Sequence, residues 1–99
     1  MHFPHFNLHP RTLYSVLIGY IQHYGDWVND TEQLRVALTD SEEITDYAIH
    51  KVGTAIDGDQ ADLISRVGLQ WLDYAKAHPD NPQGYAETAK QLLDESQSS

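Results

Sequence analysis

The residues best suited to recognition chemistry lie in one acidic stretch of the sequence. Residues 26–46 hold seven acids against a single base, Arg35, so they contribute −6 to the net charge of −9, whereas residues 1–25 contain no acid. Clustered carboxylates attract a basic partner and repel polyanions. The helix-turn-helix outline of residues 34–52 would bring these acids against phosphates. The sequence therefore predicts a protein partner with a basic surface, and no direct binding to nucleic acid or to a membrane.

Our candidate partner-binding site lies where this stretch enters a helical pattern, and it consists of Glu42, Glu43, Asp46, Tyr47 and His50. Helical residues four apart share one face, which groups Glu42 with Asp46 and Asp46 with His50. A tyrosine beside carboxylates supplies rigid aromatic area together with charge that steers a basic partner. The alternative interpretation is a solvated helix face whose first-turn acids are stabilised by the helix dipole.

A catalytic interpretation starts from Asp46 and His50, because a carboxylate that orients an imidazole can make it a general base. The chain has no cysteine, and it contains neither the Gly-x-Ser-x-Gly turn of hydrolases nor a glycine-rich phosphate loop. Without a nucleophile or a substrate pocket, a solvated ion pair explains these two residues better. We therefore expect a protein that is not an enzyme and that uses no cofactor.

Two segments have the composition of a metal site but lack its pattern. Three histidines could offer imidazole ligands to a transition metal, although no carboxylate lies near them in the sequence: His2, His5 and His9. Residues 57–62 begin like a calcium loop, but Asp62 and Gly68 occupy the sixth and twelfth positions, where such a loop requires Gly and Glu. The sequence predicts no metal site, and metal binding by the three histidines stays open as the alternative.

Length and composition predict one small domain. A chain of 99 residues suits a single hydrophobic core. The absence of cysteine excludes disulfides and thiolate metal sites and fits a reducing cytoplasm, which is the location that we predict. The longest apolar run, residues 16–21, is far shorter than the about 20 residues that cross a bilayer. The first residues also lack the features that we expect of a signal peptide.

Apolar residues recur at helical spacing through most of the chain and predict an all-α fold. We expect a compact bundle of four or five helices over residues 11–94, with an extended N-terminal arm at 1–10 and a disordered tail at 95–99. Breaks at proline and glycine predict helices at 11–24, 31–38, 42 to Gly53 or Gly58, 59–77 and 82–94. We expect Asp59 to cap the fourth of these helices and Asn81 to cap the fifth.

The first and fourth predicted helices carry the broadest apolar faces. We expect the first helix to be central, with Leu17 and Ile21 buried, and Trp71 of the fourth helix to be buried as well. Gly19 and Gly68 lie inside helical patterns, where glycine costs about 1 kcal/mol against alanine, and this indicates close approach of a neighbouring helix. The third helix has an apolar stripe of Ile44, Ala48, Val52 and Ala55, with Tyr47 at its border.

These observations predict a small acidic, non-enzymatic protein-binding module. Such a module would be an inhibitor, an immunity-type protein or a regulatory factor that docks on a basic protein surface. The alternative is a self-associating structural module, because the first and fourth helices carry more apolar surface than a chain of this length hides. That alternative predicts a homodimer.

Overall fold

Five α-helices in chain order make up the part of the chain that the structure describes. The computed structural model describes residues 10–98, and the side chains of residues 12–93. The helices are α1 Pro10–Tyr24, α2 Thr31–Leu38, α3 Ser41–Tyr47, α4 Gly58–Ala77 and α5 Ala86–Ser98. A π-helical turn, Ala48–Val52, continues α3, and a 3₁₀ turn, Pro82–Tyr85, leads into α5. Residues 10–98 contain no strand, and the predicted all-α bundle is confirmed.

α1 lies at the centre of the bundle because apolar side chains surround its axis. It packs against α2, α3, α4 and α5, and its buried residues are Leu13, Val16, Leu17, Tyr20 and Ile21. Gly25 ends the helix by donating its N–H to the Ile21 carbonyl at 3.0 Å. The predicted burial of Leu17 and Ile21 is confirmed. Among the helices of the described residues, none is long and apolar enough to cross a membrane.

A reciprocal capping box sets the start of α4. The Asp57 carboxylate accepts the Gln60 backbone N–H at 2.8 Å, and the Gln60 side chain accepts the Asp57 N–H at 2.9 Å. These bonds satisfy donors that the first turn of a helix leaves without partners. Our predicted cap at Asp59 is therefore wrong. Our assignment of Gly58 to the end of the preceding helix is also wrong, because Gly58 is the first residue of α4.

α4 buries the broad apolar face that the sequence predicts, and Trp71 is fully buried within it. The Trp71 ring stacks on Trp27 at 4.8 Å between centroids, and its Nε1–H donates to the Pro82 carbonyl at 2.8 Å. At Gly68, an added Cβ would come within 2.5 Å of the Leu38 Cδ2 atom. The missing side chain lets α4 approach α2, which confirms the close approach predicted at this glycine.

The third helix departs from the prediction after Tyr47, where the π-helical turn Ala48–Val52 replaces the regular helix. A π-helical turn contains more residues than an α-helical one, so it rotates the following side chains away from their expected face. The first two members of the predicted apolar stripe are buried, but Val52 and Ala55 are exposed. Gly53 then ends the segment in the left-handed region, with φ of 81°.

α5 starts later and ends later than the sequence predicts. Pro82–Tyr85 forms a 3₁₀ turn, and the Asn81 side chain makes no capping bond, in contrast to our prediction. α5 then continues to Ser98, into the segment at 95–99 that we predicted as a tail; glutamate and glutamine there are good helix formers. At the other end of the chain, Pro10 of the predicted arm begins α1, and the rest of that arm lies outside the described residues.

Candidate protein-binding surface

The N-terminus of α3 positions the acidic residues of the candidate site. Asp40 caps the helix: its backbone is extended, with φ of −104°, and its carboxylate accepts the Glu43 N–H at 3.1 Å. Glu42 and Glu43 therefore lie in the first turn, where the helix dipole favours negative charge. The Ser41 hydroxyl donates to the Asp62 carboxylate at 2.7 Å, which ties this end of α3 to α4.

The five predicted site residues divide between two faces of this segment. Three are exposed to solvent: Glu42, Asp46 and His50. The other two are half-buried against α1, and we call them the inner pair: Glu43 and Tyr47. An exposed apolar neighbour was missed from the sequence, namely Ile49, whose exposed fraction is 44%. We call the four exposed residues the outer stripe: Glu42, Asp46, Ile49 and His50.

The outer stripe does not assemble a catalytic pair. No hydrogen bond or ion pair joins Asp46 to His50, and neither side chain bonds another group among the described residues. The ion pair that we predicted from their spacing is therefore wrong. The physical reason is the π-helical turn, which begins at Ala48 and changes the spacing between them from that of a regular α-helix.

The inner pair joins α3 to α1 through a tyrosine. The Tyr24 hydroxyl donates a hydrogen bond to the Glu43 carboxylate. This hydrogen bond, partial burial and the negative charges of Glu43, Asp40 and Asp46 together raise the pKa of Tyr24 to about 12. Because all three carboxylates act on one phenol, they lie close enough together to create a local negative potential at the surface.

Four aromatic rings meet at this junction, and we call them the ring cluster: Tyr20, His23, Tyr24 and Tyr47. Tyr20 is buried at its base and donates its hydroxyl to the Ala37 carbonyl. The Tyr20 ring centroid lies 4.6 Å from that of Tyr24 and 5.5 Å from that of Tyr47. The His23 centroid lies 4.7 Å from Tyr24 and 5.6 Å from Tyr47. His23 is exposed, so the cluster reaches the surface.

Gly19 makes room for the Tyr47 ring, because a Cβ at that position would meet the Tyr47 hydroxyl. The close packing predicted at Gly19 is confirmed, and here, as at Gly68, the nearest atoms belong to a side chain of a neighbouring helix. Helical periodicity places the tyrosines at the core faces of their helices, but we did not predict their meeting with His23. The available signal was the spacing of Tyr20, His23 and Tyr24, since residues three and four apart are neighbours on a helix.

No base of the described residues forms an ion pair with the outer stripe, although the exposed Lys51 directly follows it in the chain. The two ion pairs of this part of the chain join Arg35 to Asp73 at 3.2 Å and Lys90 to Glu87 at 3.5 Å. Arg35 is the single base of the acidic stretch, and it is paired with α4 instead. The two carboxylates of the outer stripe, four residues apart, repel each other at a cost of about 0.2–0.5 kcal/mol in an isolated helix.

The described residues offer no grouping suited to a metal ion. Within them, no cluster of three or more His, Asp or Glu side chains is placed to bind one. Asp57, which begins the calcium-like segment, is engaged instead as the cap of α4. The three histidines that we left open as ligands lie outside the described residues: His2, His5 and His9.

The outer stripe and the ring cluster together present carboxylates, one exposed aliphatic side chain and aromatic rings on neighbouring surfaces. Such a combination suits the recognition of a basic surface, because charge steers the approach and apolar area is buried on contact. The chain matches no protein-family model, no curated protein and no solved structure.

Proposed function

We propose that the protein is a small non-enzymatic binding protein whose outer stripe docks on the basic surface of a partner protein, as an inhibitor, an immunity-type protein or a regulatory factor. The observation that carries this proposal is the exposure of Glu42 and Asp46 beside Ile49, with no base of the described residues paired to them. Exposed carboxylates that form no ion pair within the protein attract a cationic surface. Ile49 adds an apolar contact that an interface can bury.

The local structure holds the outer stripe in place before a partner arrives. The Asp40 cap fixes the start of α3, and the bond from Tyr24 to Glu43 fixes its inner side. A surface on an ordered element loses less conformational freedom on binding than a surface on a loop. The stripe also runs into the π-helical turn Ala48–Val52, and π-helical turns occur frequently at functional sites.

The first test is capture of a partner from the cytoplasmic fraction of the source cells, because we propose that this cysteine-free protein acts in that compartment. The bait is used in three forms: the wild type, the stripe variant Glu42→Lys/Asp46→Lys, and the control variant Asp80→Lys/Glu87→Lys. The control reverses two exposed acids that lie beyond the C-terminus of α4, so both variants change the net charge equally. A specific partner is retained by the wild type and the control and is lost by the stripe variant.

The second test measures association of that partner by surface plasmon resonance at several salt concentrations. We expect the stripe variant to lower the association rate constant by about tenfold or more, because exposed charges act mainly on encounter. The control should change the rate constant by less than about twofold, and salt should slow the wild type by screening. An association rate constant for the folded stripe variant equal to that of the wild type would refute the proposal.

Self-association is the second candidate, but its contact surface would differ from the one that we expected from the sequence. The excess apolar surface expected on the first and fourth helices is not found there. Within residues 12–93, the exposed large hydrophobic side chains are Val28, Val36, Ile49 and Val52. Val36 on α2 favours this candidate, because 68% of it is exposed. A dimer in sedimentation equilibrium that Val36→Glu dissociates would support a symmetric contact, and a monomer at every concentration would exclude it.

A further inference from the structure

The ring cluster has the properties of a surface that accepts a cation. The faces of aromatic rings carry negative potential and attract ammonium and guanidinium groups. Its rim is formed by the exposed His23 and the half-buried Tyr24 and Tyr47. No base of the described residues lies over these rings: the contact of a lysine with a ring in this part of the chain is that of Lys90 with Tyr14, 5.1 Å from the ring centroid.

We propose that the ring cluster receives an arginine side chain of the partner protein, with the guanidinium over the Tyr47 and His23 rings and the carboxylate of Glu43 as a hydrogen-bond acceptor. This inference rests on the proposed function and specifies the side chain of the partner that the site recognises. Arginine fits better than lysine for two reasons. Its planar group stacks on aromatic rings, and its paired N–H groups match the geometry of a carboxylate.

The carboxylate beside the rings retains the capacity to bind such a group. An ionised carboxylate has about four acceptor positions. Glu43 uses one of them for the hydrogen bond from Tyr24. Asp40 and Asp46 add negative charge to this region, because both contribute, after the hydrogen bond, burial and Glu43, to the raised pKa of Tyr24.

The rings are also positioned in advance of binding. The Tyr47 ring meets the buried Tyr20 ring edge-on, at 81° between planes, and Gly19 leaves the space for its hydroxyl. His23 is held against the Tyr24 ring at 86° between planes. Because these contacts exist without a partner, an incoming arginine would need little reordering of side chains, and such preorganisation favours affinity.

The test is an NMR titration of the whole protein with short peptides of one glycine-spaced sequence that carry arginine, lysine or neutral citrulline. We expect the arginine peptide to shift the ring resonances of Tyr47 and His23. It should also bind about threefold or more tightly than the lysine peptide, because stacking adds to charge attraction. The citrulline peptide should cause no such shifts, since it keeps the shape of arginine without its charge.

Two variants remove the proposed contacts, and each has a matched control. His23→Ala and Tyr47→Leu should each lower the affinity for the arginine peptide by about threefold or more. His78→Ala removes an exposed histidine that stacks on Tyr74 at 4.1 Å, and Tyr14→Leu removes the ring beneath a lysine; neither should change the affinity. His23 is exposed, so its variant keeps the test valid even if Tyr47→Leu folds poorly.

The outcomes separate this inference from the proposed function. Equal binding of the arginine and lysine peptides, no shift of the ring resonances, or unchanged affinity in His23→Ala would overturn the arginine site. Suppose that His23→Ala binds the arginine peptide as tightly as the wild type does, while Glu42→Lys/Asp46→Lys no longer captures the partner. The inference then fails and the proposed function stands. If the partner still binds after reversal of the outer stripe, the proposed function fails whatever the ring variants show.

Discussion

Two aromatic clusters join the helices of this protein, and they differ in what surrounds their polar atoms. The tryptophan cluster is centred on Trp71, which stacks on Trp27 at 4.8 Å and lies 6.0 Å from the ring of Tyr85. Its indole N–H donates to a neutral backbone carbonyl, that of Pro82. In the ring cluster, by contrast, the Tyr24 hydroxyl donates to a carboxylate that lies among other carboxylates.

The difference indicates separate roles for two clusters of similar composition. Trp71 is fully buried and its polar atom has a neutral partner, so the tryptophan cluster contributes packing and little electrostatic field. The ring cluster combines buried Tyr20 with exposed His23 and a local negative potential. We therefore propose that the first cluster contributes mainly to stability and the second mainly to binding, and the following predictions test that division.

The largest effect is expected from removal of the central tryptophan. Trp71→Ala should lower the free energy of unfolding by about 3–5 kcal/mol, because it leaves a cavity among Trp27 and the helices around it. Urea denaturation followed by circular dichroism measures this loss. Trp71→Phe is the control, since it keeps most of the ring volume and removes the bond to Pro82. A loss below about 2 kcal/mol for the alanine variant would contradict the assigned role.

A smaller decrease in the free energy of unfolding is expected when the hydrogen bond from the ring cluster to a carboxylate is removed. Tyr24→Phe should lower the free energy of unfolding by about 1 kcal/mol, since a charge-assisted hydrogen bond is lost at a partly solvated position. Tyr85→Phe is the matched control, because it removes a neutral bond to Gln70 of 2.9 Å in the tryptophan cluster. We expect the control to cost less. If Tyr85→Phe lowered the free energy of unfolding more than Tyr24→Phe does, the bond to a carboxylate would not be the stronger of the two.

Alkaline pH should lower the stability of the protein because the Tyr24 hydroxyl of the ring cluster loses its proton. The pKa of Tyr24 rises from 10.0 to about 12 on folding, so between these values the unfolded chain loses the proton while the folded chain keeps it. Its contribution is therefore fully present below pH 10 and is lost as pH rises through about 12. Urea melts across this range should show falling stability.

Tyr24→Phe provides the control for this pH dependence. In the variant, stability should fall less steeply with pH, but it should still fall. Two other tyrosines contribute: burial, with smaller contributions from neighbouring charges, raises the pKa of Tyr20, and burial raises the pKa of Tyr85. Acid–base titration followed by tyrosine absorbance locates the groups involved. An unchanged pH profile in the variant would show that Tyr24 does not titrate as the structure indicates.

Much of this fold could be predicted from periodicity, because burial on a helix follows sequence spacing. Leu17, Ile21 and Trp71 are buried for that reason. The Asp57–Gln60 capping box also had a readable local signature, although we placed the cap elsewhere. The π-helical turn lacks a comparable signature. Apolar residues continue at α-helical spacing through Ala48–Val52, although the backbone there no longer follows an α-helix.

The candidate site was predictable only where it depends on one helix. The exposure of Glu42 and Asp46 follows from their shared face on α3. The division into an outer stripe and an inner pair depends instead on contacts between helices. The bond from Tyr24 to Glu43 joins residues 19 apart in the chain, and no pattern within α1 or α3 alone reveals it.

The smallest effect on stability is expected from neutralising the outer stripe. Glu42→Gln/Asp46→Asn should change the free energy of unfolding by less than about 0.5 kcal/mol, as is usual for solvated surface positions. Relief of the repulsion between the two carboxylates favours the variant, whereas the loss of a first-turn acid from the helix dipole opposes it. Urea melts of the variant and the wild type should therefore nearly coincide.

Glu43→Gln is the matched control, because it neutralises the carboxylate of the inner pair and weakens a bond that joins α3 to α1. We expect this single change to cost more than both changes on the outer stripe together, since of these three acids Glu43 alone accepts a hydrogen bond from a neighbouring helix. If instead Glu42→Gln/Asp46→Asn costs more than about 1 kcal/mol, the outer stripe is part of the fold's support and the division of roles fails. If the melts coincide, any loss of partner association in this variant comes from the charges themselves and not from damage to the helix that presents them.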